Sequence, residues 1–169
     1  MAIILTGGTG KTSIRVARFL QNENIPFVLA SRRGQSAAPP DMPAVKFDWL
    51  DKDTSHSIRL QFIDYALEKH GARRFVLVAG SSAECGKPGM GMVWQHFLDR
   101  QVDYCVLRLS WLMENLTEDG PRQLIRDQGK IYTACGQGKI PFVSATDIAA
   151  VAYCALTDPD SHNCNHQLG

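Results

Sequence analysis

The chain has 169 residues, 44% of them hydrophobic and 21% charged, with a formal net charge of +1. That balance suits one soluble domain over 1–169 with a substantial core. It argues against nucleic-acid or membrane-surface binding by bulk charge. No apolar run approaches a membrane span, the N-terminus leads straight into a strand rather than a signal peptide, and five widely spaced cysteines (Cys85, Cys105, Cys135, Cys154, Cys164) fit a reduced, cytoplasmic setting.

The first element is the apolar run Ala2-Ile3-Ile4-Leu5, the length of a buried parallel strand. Thr6-Gly7-Gly8-Thr9-Gly10-Lys11-Thr12-Ser13 follows, and then Ile14, Ala17 and Leu20 recur at helical spacing. The glycines therefore fall on a strand-to-helix turn. Such a turn aims backbone N–H groups and a helix N-terminus at one point, which favours a phosphate. Glycine there permits φ > 0 and lets a pyrophosphate approach without a Cβ in the way. Gly10-Lys11-Thr12 also resembles the end of a nucleotide P-loop. That motif needs a glycine where Leu5 stands, and a later strand ending in Asp. Residues 75–79 instead lead into Gly80-Ser81-Ser82, so the dinucleotide reading is preferred. Ser13 replaces its usual third glycine, which keeps the helix from packing quite as close to the strand.

The second strand, Ile25-Pro26-Phe27-Val28-Leu29-Ala30, ends in Ser31-Arg32-Arg33-Gly34. An acidic residue at this point holds the ribose 2′-hydroxyl of NAD. Here a serine and two guanidiniums stand in its place, and a guanidinium matches a phosphate in charge and geometry. NADP(H) is therefore the expected cofactor. Ala44-Val45-Lys46-Phe47-Asp48-Trp49 reads as a third strand, with Asp48 and Trp49 placed for an adenine ring. Thr54 or Ser55 can cap a helix carrying Ile58, Phe62, Ile63, Ala66 and Leu67 on one face and closing at Gly71. A strand over 75–79 is followed by a helix starting near Pro88 with Val93, Trp94, Phe97 and Leu98 on its apolar side. Tyr104-Cys105-Val106-Leu107 is a further strand. Residues 111–116 and 121–128 read as helical, and Ile140-Pro141-Phe142-Val143 as extended. Ser144-Ala145-Thr146-Asp147 opens a last helix with Ile148, Val151, Ala152, Ala155 and Leu156, and the tail after Pro159 is polar until Leu168. Strand and helix alternate, so the class is α/β: a Rossmann-like, doubly wound, mostly parallel sheet with helices on both faces.

Thr6-Gly7-Gly8-Thr9-Gly10-Lys11-Thr12, Phe47-Asp48-Trp49-Leu50, Pro88-Gly89-Met90-Gly91 with Val93-Trp94-Gln95, Leu107-Arg108, Trp111 with Met113-Glu114-Asn115, and Gly138-Lys139-Ile140-Pro141-Phe142-Val143-Ser144 together resemble the NmrA-like branch of the atypical short-chain dehydrogenases. Within it the likeness runs to the fungal ergot-alkaloid reductases, over nearly the whole chain. The resemblance implies hydride transfer from a nicotinamide to a cyclic iminium ion of a small alkaloid. Its product is a neutral tertiary amine, so no proton is delivered at that carbon. The site needs positioning, with carboxylate or aromatic contacts for the cation. Trp94, Trp111 and Glu114 are the local candidates for substrate contact, and packing is the competing role for each. The resemblance also places Ser81 near the nicotinamide. The expected cofactor residues are then Gly7, Gly8, Thr9, Gly10, Lys11, Thr12, Ser31, Arg32, Arg33, Asp48, Trp49 and Ser81. No residue of the chain stands out as a catalytic acid or base.

Two motifs are set aside. Tyr65-Ala66-Leu67-Glu68-Lys69 spells the Tyr-x-x-x-Lys of ordinary short-chain dehydrogenases, but it precedes the strand it should follow, so Tyr65 and Lys69 are expected on a solvated helix flank. His162-Asn163-Cys164-Asn165-His166, with Cys154 upstream, would present metal-ligating side chains on one face of a strand. No Cys-x-x-Cys pair supports it, so no metal is expected. His96 reads as a helix-surface histidine.

The chain departs from the family in one internal stretch, passing almost directly from Asp53-Thr54 to Phe62 where members carry another strand and the start of a helix. Members also continue beyond Leu168-Gly169. The missing strand normally lies beside the first one. Buried unpaired backbone groups there would cost about 1–3 kcal/mol each. The expectation is that residues 75–79 fill the slot by a right-handed crossover, giving the order third, second, first, 75–79, 104–107. Three functions stay open: an NADPH-dependent imine reductase, a non-catalytic NADP(H)-binding redox-sensing regulator, and an inactive shortened product.

Overall fold

The computed structural model describes residues 2–48, 57–118 and 121–169. Strand β1 (Ile3–Leu5) pairs in parallel with β2 (Phe27–Ser31), and β2 with β3 (Ala44–Lys46). Helix α1 (Lys11–Asn22) links β1 to β2 and buries Val16, Ala17 and Leu20, the face its spacing defines. Helix α2 (Ser57–His70) leads into β4 (Arg74–Gly80), and α3 (Met90–Asp99) connects β4 to β5 (Asp103–Leu109), its parallel neighbour. Beyond β5 lie β6 (Trp111–Leu112), α4 (Asn115–Glu118), α5 (Pro121–Gln128), β7 (Phe142–Val143), α6 (Ala145–Thr157) and β8 (Cys164–Leu168). Strand β8 pairs with β5, and β6 with β7, both in parallel.

Helices cover both faces. On one, Ile3 and Leu5, Leu29, Cys105 and Leu107 pack against α1 and against Ile148, Ala149, Ala152 and Ala155 of α6. The alanines on both helices allow close approach, and Phe19 meets Tyr153 at 5.7 Å between ring centroids. On the other face Ile63 of α2 joins Val93 and Phe97 of α3 over Phe75, Leu77 and Tyr104. Ser144 caps α6, its hydroxyl accepting from the Thr146 N–H at 3.0 Å. The polar tail proves to be a strand: Cys164–Leu168 takes its place through backbone pairing to β5 rather than through hydrophobicity.

The expected filling of the slot does not occur. Among the described residues β1 pairs with β2 alone and β4 with β5 alone, so the order is β1-β2-β3 beside a separate β4-β5-β8. The β4–β5 half of the expected order holds, with seven register pairs, and it is the β1–β4 pairing that is missing among the described residues. The expectation also took the slot to be buried. Ile4 is 47% exposed and Val78 40%, so each strand carries a side chain open to water where the expectation had both fully enclosed. The proposed capping by Thr54 or Ser55 lies outside the described residues, as does Trp49. Tyr65 is exposed on α2, as expected. His96 is not a free surface group: its Nε2 lies 2.9 Å from Asp64 Oδ1 and ties α3 to α2.

Candidate functional site

The turn after β1 is built for close approach. Gly8 has φ 55°, and a Cβ there would meet Ala30 O at 2.7 Å, so the loop lies directly on the end of β2. Gly10 caps α1 with no side-chain acceptor, and no acidic residue stands in the first helical turn. The helix N-terminus is thus left to an external anion. A Cβ on Gly7 would collide with the Ser13 hydroxyl, so serine already fills the space that a third glycine would leave open.

This turn opens on a cavity of about 820 Å³ lined by Thr6, Gly7, Thr9, Gly10, Ala30, Ser31, Arg32, Arg33, Phe47, Asp48 and Arg59. That volume suits a cofactor-sized ligand. Two arginines come from the end of β2 and a third from α2. The Ser31 hydroxyl is buried here and has no hydrogen-bond partner among the described residues. A buried, unpaired hydroxyl beside a glycine turn and a helix N-terminus is what a bound polar group would satisfy. Of the residues expected from sequence, Gly7, Thr9, Gly10, Ser31, Arg32, Arg33 and Asp48 converge on the cavity, and Gly8 supports it from below. Thr6 and Phe47, each next to an expected residue, were within reach of the sequence reading. Arg59 has no local signal.

Other expected residues stand elsewhere. The Lys11 ammonium donates to Asn115 Oδ1 at 2.9 Å, linking the first turn of α1 to the segment after β6. Ser81 sits at the end of β4, its N–H donating to Leu109 O at 2.7 Å, and it does not line the cavity. Glu114 anchors α6: Oε2 accepts from the Ala145 N–H at 2.9 Å, and Oε1 lies 3.7 Å from Arg15. Burial works to raise its pKa, but the Ala145 N–H, its own backbone, Arg15 and the Ser144 hydroxyl outweigh that and hold the carboxyl below its ordinary range. Trp111 is half exposed, edge-on to Phe142, while the Trp94 indole N–H is sealed inside α3's packing without a partner among the described residues. Burial, with Cys164 alongside, pushes the Cys105 thiol up to about 12. No helix among the described residues is long and apolar enough to cross a membrane.

The glycine turn, the topology and the cavity define an α/β protein of Rossmann type with a polar, arginine-lined crevice at the β1–β2 end. Solved structures agree on the fold. A Rossmann-fold NAD(P)-binding family protein from Shigella flexneri superposes with a TM-score of 0.67 at 16% identity, covering 99% of this chain and 92% of its own. The UDP-glucose 4-epimerase of Thermus thermophilus, solved with NAD, gives 0.63 at 13% identity, covering 100% and 78%. No family model matches the chain. Curated proteins do: agroclavine dehydrogenase of Claviceps fusiformis is 39% identical over 199 residues, covering 99% of this chain and 67% of the relative. Festuclavine synthase II of Penicillium roqueforti is 37% identical over 200 residues, covering 99% and 68%. The chain belongs to the family of the fungal agroclavine and festuclavine dehydrogenases, a family of oxidoreductases. It spans about two thirds of the length of these relatives. The alignments run longer than the chain's own 169 residues, so the relatives carry residues with no counterpart here.

Proposed function

We propose that the chain, acting as one unit over 1–169, is an NADPH-dependent reductase of a cyclic iminium intermediate in the formation of clavine-type alkaloids. The observation that carries this reading is the cavity itself: a glycine turn and an uncapped helix N-terminus beside three guanidiniums, in a member of this family. The backbone of residues 7–10 would hold the diphosphate. Ser31, Arg32, Arg33 and Arg59 would hold the 2′-phosphate, and Phe47 with Asp48 would border the adenine. When bound, NADPH supplies the hydride that reduces C=N⁺. The product amine is neutral and needs no proton at that carbon, so the chain's task is to orient and desolvate. Trp111 and Glu114 lie just before Asn115, which Lys11 holds, and they are the proposed substrate contacts on that side, with Trp94 of α3 a further proposed contact. Glu114 would act there through its remaining negative field, since its oxygens already serve α6.

The test is oxidation of NADPH by the purified chain with a preformed cyclic iminium substrate, followed by loss of dihydronicotinamide absorbance. Turnover is expected. NADPH binding without turnover would favour the non-catalytic NADP(H)-binding reading, and absence of both would reject the proposal.

A further inference from the structure

Away from the cavity, one ligand atom from each of Cys105, His162, Cys164 and His166 lies within 4.8 Å of all the others. Cys164 Sγ is 3.2 Å from His166 Nε2. Zinc bound tetrahedrally by two thiolates and two imidazoles, with Zn–S about 2.3 Å and Zn–N about 2.0–2.1 Å, spaces its donors about 3.3–3.8 Å apart. The group is therefore within a modest side-chain adjustment of that geometry.

The backbone assembles it from two strands. Cys105 and Cys164 are register partners in β5 and β8, and His166, opposite Leu107, follows two residues on along the same face. His162 precedes the strand, so alternation alone does not bring it there. Asn163 does: it has φ 44°, and its Oδ1 accepts from the Tyr104 N–H and the Ser161 hydroxyl, both at 3.1 Å. This left-handed pivot, pinned to β5, turns His162 back toward the pair. His162 Nε2–H donates to Asp158 Oδ2 at 2.8 Å, leaving Nδ1 for a metal. A carboxylate behind a ligating imidazole fixes its ring and tautomer in this way. Cys154, the cysteine weighed in the sequence, is exposed on α6 and takes no part.

We propose that these four side chains bind one zinc ion in a closed structural site that clamps β8 and the turn before it onto β5. Binding displaces two thiol protons and the ion's waters. Zinc stays divalent, and the site becomes neutral, as the fully buried Cys105 requires. None of the four lines the nucleotide cavity, so the site stands whether or not the proposed activity holds.

The test uses tag-free protein purified under reducing conditions. About one equivalent of zinc per chain is expected by elemental mass spectrometry. Cobalt substitution should give the intense visible bands of a tetrahedral site together with thiolate charge transfer. Cys164→Ser and His166→Gln should abolish that spectrum, Cys154→Ser should leave it unchanged, and Asp158→Asn should weaken zinc about 10–100-fold in chelator competition. The result that overturns the proposal is wild-type protein that neither retains zinc nor gives the tetrahedral cobalt spectrum, or a spectrum that survives Cys164→Ser.

Discussion

Gly8 and Gly71 have nearly the same backbone conformation, φ 55° and 64°, in opposite surroundings. A Cβ on Gly71 meets nothing within 4 Å, whereas one on Gly8 meets Ala30 O at 2.7 Å and Ser31 Cα at 3.0 Å. Both alanine variants carry the left-handed cost, about 1–2 kcal/mol. Only Gly8→Ala adds a collision with strand backbone that cannot rotate away, worth about 1–3 kcal/mol more. Urea unfolding followed by tryptophan fluorescence should therefore place Gly8→Ala about 2–5 kcal/mol below wild type, and Gly71→Ala about 1–2 kcal/mol below. Because the collision moves the turn away from Ser31, Gly8→Ala should also weaken NADPH binding at least about tenfold, or 1.4 kcal/mol. Gly71→Ala should leave it alone. Equal destabilisation of the two variants, or wild-type affinity in Gly8→Ala, would refute the claim that the turn's contact with β2 builds the crevice.

Arg32→Ala combined with Arg33→Ala should weaken NADPH about 10–100-fold and NADH by no more than about threefold, since a charged hydrogen bond is worth about 1.5–3 kcal/mol and both side chains are exposed enough for solvent to screen part of it. Equal losses for both nucleotides, measured by fluorescence titration, would remove the 2′-phosphate assignment. Glu114→Gln should cost about 1 kcal/mol at neutral pH by removing the negative charge set against the start of α6 and Arg15. The folded-state pKa of Glu114 lies below the unfolded value of 4.5, so its contribution is present above 4.5 and is lost as pH falls through the folded pKa. Stability curves of wild type and variant should therefore converge in acid, and a gap that persists there would contradict the carboxylate's role.

What the sequence made legible is local. The apolar run, the glycines and the helical spacing after them specify β1, the turn and α1 within one short stretch, and Arg32 and Arg33 follow β2 directly. What it hid depends on partners far along the chain. Strand β4 paired with β5 as expected, but whether its other edge would meet β1 depends on segments more than sixty residues apart, which no single stretch contains. Arg59 reaches the cavity only because α2 brings it there, and Cys164–Leu168 is a strand by hydrogen bonding to β5 despite a polar sequence. In the Cys/His cluster, His162, Cys164 and His166 stand together in the sequence, but their fourth member, Cys105, reads as an ordinary core residue until β8 is laid beside it.

Isothermal titration of the purified chain with NADPH and, separately, with NADH bears most directly on the crevice at the start of α1. The account expects one site per chain and tighter binding of NADPH by at least about tenfold, or 1.4 kcal/mol. Heats indistinguishable from dilution for both nucleotides, or a preference for NADH, would contradict it.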